Sequence, residues 1–187
     1  MTAPKKPQSV YVLSKKQAEL LLRSRDTWDV TGFVSIGSPK GSLPKGWDKI
    51  SPKRKLRLEF DDLTHVHHES YGFRACYPSD IEELLAFGKK RNAGKLVIHC
   101  AAGVSRSSAA ALILLVQRLG NIDEAYSRLL CDVEAAVRLG LRADEEIAPN
   151  RRMIHLADKL LGKKGNLLGL NKYYLGDAYS TTYLGED

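Results

Sequence analysis

Five small or weakly polar residues, Ala101-Ala102-Gly103-Val104-Ser105, separate Cys100 from Arg106, and together they join an apolar run ending at His99 to a helix-forming run that starts near Ser107. A loop of that kind can turn successive backbone N–H groups inward, and the positive end of the following helix adds to their field. Such a field holds a phosphate dianion and also favours a thiolate, because a thiol at a helix N-terminus beside a fixed cation loses its proton more easily than a free one. Cys100 then reads as a sulfur nucleophile and Arg106 as a planar fork for two phosphate oxygens. A cysteine that is merely buried would not account for Gly103 and Arg106 at these spacings.

The stretch His99-Cys100, five residues, Arg106-Ser107 resembles the signature of the cysteine-dependent protein tyrosine phosphatases, with the fixed positions His99, Cys100, Gly103, Arg106 and Ser107 all present. The resemblance runs from about Val10 to Leu161 and points to the compact branch, similar to dual-specificity and small bacterial-type tyrosine phosphatases. It implies a single-domain α/β fold with a central, mostly parallel sheet flanked by helices, over residues 1–164, followed by a distinct tail at 165–187. The late position of Cys100 excludes the low-molecular-weight class, and the phosphotyrosine-recognition loop of the larger classical enzymes is not found.

By the same resemblance, catalysis needs an aspartate that follows an extended strand and protonates the leaving group. Leu56, Leu58 and Phe60 alternate as in a half-buried strand, and the family pattern, apolar-x-apolar-x-Asp, puts the acid at Asp62. Asp61 is the rival, since spacing does not separate adjacent carboxylates; Glu69 and Asp80 come next. The implied reaction is a two-step displacement through a cysteinyl-phosphate, with Asp62 as acid and then as base. The amides of Ala101, Ala102, Gly103, Val104, Ser105 and Arg106 bind the phosphate oxygens. Ser107 assists expulsion of the sulfur, acts as an ordinary helix N-cap, or both. His99 shapes the loop, and Pro149-Asn150 resembles the turn that packs near the signature loop. No cofactor or metal is implied.

Several elements must position this set. Val10 to Leu13 and Val30 to Ile36 read as strands, separated by a helix whose start carries a Ser14/Gln17 capping box. A Gly/Pro/Lys-rich loop covers roughly 38 to 53, before the strand that delivers the acid. A second capping box, Ser79 with Glu82, predicts the start of the next helix. Lys95 to His99 is an apolar strand suited to the centre of a sheet. Ser107 to Leu119 is almost wholly apolar and reads as a helix packed on several sides, with further helices over Ile122 to Leu139 and Asn150 to Leu161.

A chain of 187 residues suffices for one domain with a proper core. The sequence shows neither a membrane-spanning apolar run nor the apolar segment of a secretory signal near Met1, so the expectation is a cytoplasmic protein. Three widely spaced cysteines, Cys76, Cys100 and Cys131, fit neither a disulfide framework nor a zinc site. Cys76 and Cys131 read as structural, with reversible disulfide protection of Cys100 as the alternative. His65, His67 and His68 read as rim residues of the acid loop rather than metal ligands. The net charge of +7, with clusters at Lys53-Arg54-Lys55-Arg57, Lys89-Lys90-Arg91 and Arg151-Arg152, suits anionic partners. The expected substrate is a phosphorylated protein or peptide. Nucleotide or RNA 5′ phosphates remain a second reading, and a phosphate-binding module without turnover a third. Phosphoinositide-specific members of the family it resembles commonly carry lysines inside the signature loop, whereas this loop has Ala101, Ala102 and Val104. Beyond Gly165, four of the eight tyrosines lie among glycines and polar residues, which marks a tail that either docks on the core or a partner or is weakly ordered.

Overall fold

The structure, a computed structural model, describes residues 9–24, 30–64, 71–90 and 94–169. Four strands, β1 (Ser9–Ser14), β2 (Val30–Gly37), β3 (Lys55–Glu59) and β4 (Lys95–Cys100), form one sheet in the order β1-β4-β2-β3, every pair parallel. Parallel strands need crossovers. The described elements that supply them are α1 (Lys15–Arg23) between β1 and β2 and α2 (Pro78–Lys89) between β3 and β4. After β4 come α3 (Arg106–Leu119), α4 (Ile122–Arg138) and α5 (Arg151–Leu160).

Helices on both faces explain why the central strands are apolar without alternation. Leu96, Val97 and Ile98 of β4 are all fully buried. Leu96 and Ile98 join a large core with Val34, Leu58, Phe60 and the helices α2 to α5, whereas Val97 joins Leu13, Phe33, Ala18 and Trp47 on the α1 side. Within α3, every residue from Arg106 to Val116 is buried, as its apolar composition requires. No helix among the described residues is long and apolar enough to cross a membrane.

The Ser14/Gln17 capping box forms, with Gln17 N–H donating to Ser14 Oγ at 3.2 Å and Ser14 N–H to Gln17 Oε1 at 2.7 Å. The Ser79/Glu82 box does not. Pro78 takes the first helical position, which suits a residue without an N–H, so α2 starts earlier, and Asp80 accepts from Tyr77 N–H at 2.8 Å instead. Asn121 and Asn150 cap α4 and α5, accepting from Glu124 N–H at 2.9 Å and Met153 N–H at 3.1 Å. Past α5, the Asp158 carboxylate accepts from Gly165 N–H at 2.6 Å and Leu167 N–H at 2.8 Å, and Leu167 is buried in the large core. The tail tyrosines Tyr173, Tyr174, Tyr179 and Tyr183 lie outside the described residues, as do His65, His67, His68 and Glu69.

Register brings the working ends together. Ser14 pairs with Cys100 and Ser35 with His99, so the segment after Cys100 leaves the sheet between the carboxyl ends of β1 and β2. Crevices outside the carboxyl ends of parallel strands are where open α/β sheets bind ligands.

The edge strand β1 is tied down by a polar contact from far along the chain. The Val10 N–H donates to buried Asp132 Oδ2 at 2.9 Å, and Arg128 pairs with the same carboxylate at 3.1 Å. Asp132→Ala should leave a buried N–H without an acceptor and cost about 1–3 kcal/mol. A urea titration reads this as a lower midpoint, and an unchanged midpoint would show that the contact contributes nothing.

Candidate active site

Between β4 and α3 the chain makes a tight loop in which the carbonyls of Ala101, Gly103, Val104 and Ser105 are drawn outward. Ala101 O accepts from Lys15 N–H at 3.2 Å, Val104 O from Ala148 N–H at 3.1 Å, and Ser105 O from Asn150 N–H at 3.2 Å and Ala109 N–H at 3.0 Å. Gly103 O accepts from Arg142 Nη1 at 2.8 Å. A trans peptide is planar, so a carbonyl turned out turns the next residue's N–H the opposite way. The amides of Ala102, Val104, Ser105 and Arg106 therefore face the loop interior, an anion-binding concavity.

Gly103 permits this path. Its φ is +82°, and a Cβ there would lie 2.5 Å from Ser14 N and 2.7 Å from Leu13 C, inside the end of β1. Its N–H donates to Cys100 Sγ at 3.3 Å, and Ser107 Oγ lies 3.2 Å from the same sulfur. Cys100 is buried at the floor, while Ala101 and Ala102 are exposed. Ser107 is not the N-cap of α3. The helix already begins at Arg106, with Ser105 in the cap position, and the Ser107 hydroxyl is left for the sulfur.

Arg106 lies under the loop with only 6% of its side chain exposed, and Nη1 donates to Phe60 O at 2.6 Å. Its Nε is buried without a hydrogen-bond partner, 3.6 Å from Asp62 Oδ2. The other oxygen of Asp62 is well supplied: Oδ1 accepts from Ser105 Oγ at 2.6 Å and from Asn150 Nδ2 at 2.8 Å. The cap of α5 settles which way the Asn150 amide faces. Because Oδ1 takes Met153 N–H, Nδ2 must face Asp62 and Leu63 O.

The adjacent carboxylates part company. Asp61 N–H donates to Arg74 O at 2.7 Å and Asp61 Oδ2 accepts from Arg74 N–H at 2.9 Å, so Asp61 closes the neck of the excursion in which Asp62 comes first. The Arg74 guanidinium braces that neck, donating to Glu59 O and to Asp80 Oδ1 at 2.9 Å. Asp80 is thereby committed to Arg74 and Tyr77.

His99 sits beneath the loop, edge-on to Phe33. Its Nδ1 lies 3.3 Å from Cys100 O, and a carbonyl only accepts, so Nδ1 carries the proton and Nε2 is a buried acceptor without a partner. Burial lowers its pKa from 6.5 to about 4, despite the bond to Cys100 O, with Arg57 and Lys15 adding to the fall. Cys76 is a buried thiol pushed up to about 12, chiefly by burial and then by Asp80, a form poor at disulfide exchange. Cys131 is exposed on α4.

Three contributors leave no signal in the sequence. The loop pattern accounts for Ser105 by its amide alone, yet its hydroxyl holds Asp62. Arg74 and Arg142 act on backbone carbonyls distant in sequence, which no motif records.

No family model matches the chain, and no curated protein matches it in sequence. Solved structures do match in shape. The PTP-2 phosphatase of Cydia pomonella superposes with a TM-score of 0.55 at 15% identity, over 82% of this chain and 86% of that one. Human DUSP28 gives 0.52 at 18%, over 84% and 94%. PTPMT1, in complex with PI(5)P, gives 0.51 at 18%, over 83% and 91%. The fold is that of the dual-specificity and tyrosine phosphatases.

The neutral, buried His99 makes stability depend on pH. Its folded pKa of about 4 lies below the 6.5 of the free side chain, so between these values the unfolded chain binds a proton that the folded chain refuses. Stability should be insensitive to His99 above pH 6.5 and fall towards pH 4, by about 3 kcal/mol in all. Denaturation curves of wild type and His99→Asn across this range check it: the variant should lack this part of the slope, and parallel curves would refute it.

Proposed function

We propose that this chain is a phosphomonoester hydrolase that works through a cysteinyl-phosphate and acts on phosphotyrosine, and on phosphoserine or phosphothreonine, in proteins. The observation that carries the reading is the buried Arg106 Nε, a donor without a protein partner beside the carboxylate of Asp62 and under a loop of inward amides seating Cys100. A buried donor left unpaired is costly, and a phosphate oxygen supplies the acceptor. Together, Arg106 and the amides form the charge-stabilising part of a phosphoryl-transfer site.

In the first step, the Cys100 thiolate attacks phosphorus as the bond to the leaving oxygen breaks, and Asp62 gives that oxygen its proton. Ser105 and Asn150 occupy Oδ1, so the proton to be donated belongs on Oδ2. In the second step, Asp62 takes a proton from water, the water oxygen bonds to phosphorus, and the S–P bond breaks. The departing thiolate is received by the Ser107 hydroxyl and Gly103 N–H, the two groups already at the sulfur. His99 is neutral and turned to a backbone carbonyl, which suits a scaffold rather than a proton carrier. Asp61 is engaged by Arg74, which supports Asp62 as the acid.

The loop side chains support a protein substrate. Ala101, Ala102 and Val104 put no cation in the loop, which favours a single phosphate on a side chain over the polyphosphorylated headgroup of a lipid. A panel of phosphopeptides, nucleotides, 5′-phosphorylated RNA and phosphoinositides tests this. Highest turnover on phosphopeptides is expected, and preference for RNA or nucleotide would replace the protein substrate while keeping the chemistry.

Cys100→Ser should abolish hydrolysis and keep vanadate or phosphate binding, because the amides and Arg106 remain. Hydrolysis at wild-type rate in that variant would defeat the cysteine mechanism. Asp62→Asn should slow an alkyl or tyrosyl phosphate by about 10²-fold or more, slow an activated aryl phosphate far less, and remove the basic limb of the kcat/KM profile. Asp61→Asn should do neither. The reverse pattern would make Asp61 the acid.

A further inference from the structure

Arg142 lies in the irregular segment between α4 and α5, and only 3% of its side chain is exposed. Every N–H of its guanidinium is used. Nη1 donates to Gly103 O at 2.8 Å and to Val12 O at 3.1 Å, Nε to Asp144 O, and Nη2 to Glu146 O and to Asp144 Oδ1 at 3.4 Å. One side chain thus joins the phosphate loop, the edge strand β1 and the segment leading to Asn150. Asp144, the carboxylate it reaches, is 64% exposed, so a nearly buried cation stands behind the loop with its counter-charge in solvent.

We propose that Arg142 is a positioning residue for phosphate binding, acting through the Gly103 peptide. The proposal rests on the phosphatase reading of the site. Gly103 has no side chain and a positive φ, so nothing in the residue itself fixes the plane of the peptide that follows it. Ala101 O, Val104 O and Ser105 O are each held by a backbone N–H, and the last two by Ser108 Oγ as well, whereas Gly103 O is held by this guanidinium. Pulling it outward aims the Val104 N–H at the phosphate. The Val12 contact from the same nitrogen locks that orientation to the sheet, where β1 already presses on Gly103. Lysine has three donors and no fork, so it can keep the charge but not these five bonds.

The test compares the full-length wild type with Arg142→Met, Arg142→Lys and a stability control, Leu129→Ala, which opens a hole in α4's buried face. For each, the Kd of inorganic phosphate is measured by calorimetry well below its melting temperature, with kcat and KM on aryl phosphates of graded leaving-group acidity. Arg142→Met should weaken phosphate by about tenfold or more and lower kcat/KM by at least as much, equally for all leaving groups, because the lost donor serves the phosphate rather than the leaving oxygen. Arg142→Lys should fall between Met and wild type, and Leu129→Ala should melt earlier with its phosphate Kd unchanged. Folded Arg142 variants that bind phosphate like wild type overturn the proposal; if Arg142→Met does not fold, Arg142→Lys decides by the same measurement. A wild type that binds phosphate but hydrolyses none of the esters defeats the phosphatase reading and leaves the Arg142 comparison standing, whereas one that binds no phosphate defeats both.

Discussion

The site depends on one constraint, the outward pull on the carbonyls between Cys100 and Arg106. A backbone loop has as many acceptors as donors, and an anion is held only if the acceptors are turned away. Here the turning is done by groups from the start of α1, from the irregular segment before α5 and from the first turns of α3 and α5. Most of the folded chain is therefore needed to make a concavity only a few residues long. The sheet supplies the platform, since the parallel register of β1 and β4 sets Ser14 beside Cys100 and leaves room at Gly103 for a hydrogen atom but not for a methyl group.

A second coupling orients the Asp62 carboxylate. Asp62 enters from the far side of the sheet, after β3, and is caught by Ser105 of the loop and by Asn150 at the head of α5. The same asparagine amide thus closes a helix with one end and orients a carboxylate with the other. The pairing of Asp61 with Arg74 fixes the backbone just before Asp62. Cys100 and Asp62 come from segments far apart in sequence, yet Ser105 lies between Cys100 and Arg106, so the loop that seats the sulfur also holds the carboxylate.

Most of the fold and half of this site could be read from the residues alone, for a physical reason. Strands buried on both faces are written as apolar runs, and the Ser14/Gln17 cap is a local bond between residues three apart, so both leave local marks. Cys100, Gly103, Arg106 and Ser107 share one loop and leave a local mark too. The start of α2 was misplaced because Pro78 outranks a Ser/Glu box whose donors the helix no longer needs at that register. The double duty of Ser105 and the roles of Arg74 and Arg142 could not be read, since each depends on a backbone group brought near by folding, and a carbonyl has no residue type. Asp62 could be favoured over Asp61 only by resemblance; what separates them is the pairing of Asp61 with Arg74, fixed by tertiary contact.

At Asn150 the helix and the site ask for different ends of the same side chain. An aspartate in its place would still accept the Met153 N–H and would cap the helix as well as asparagine does. The oxygen replacing Nδ2, however, would face Oδ1 of Asp62, setting two carboxylates together where a donor had met an acceptor. The helix cap and the hold on Asp62 therefore depend on opposite ends of one amide, and only the second needs the nitrogen.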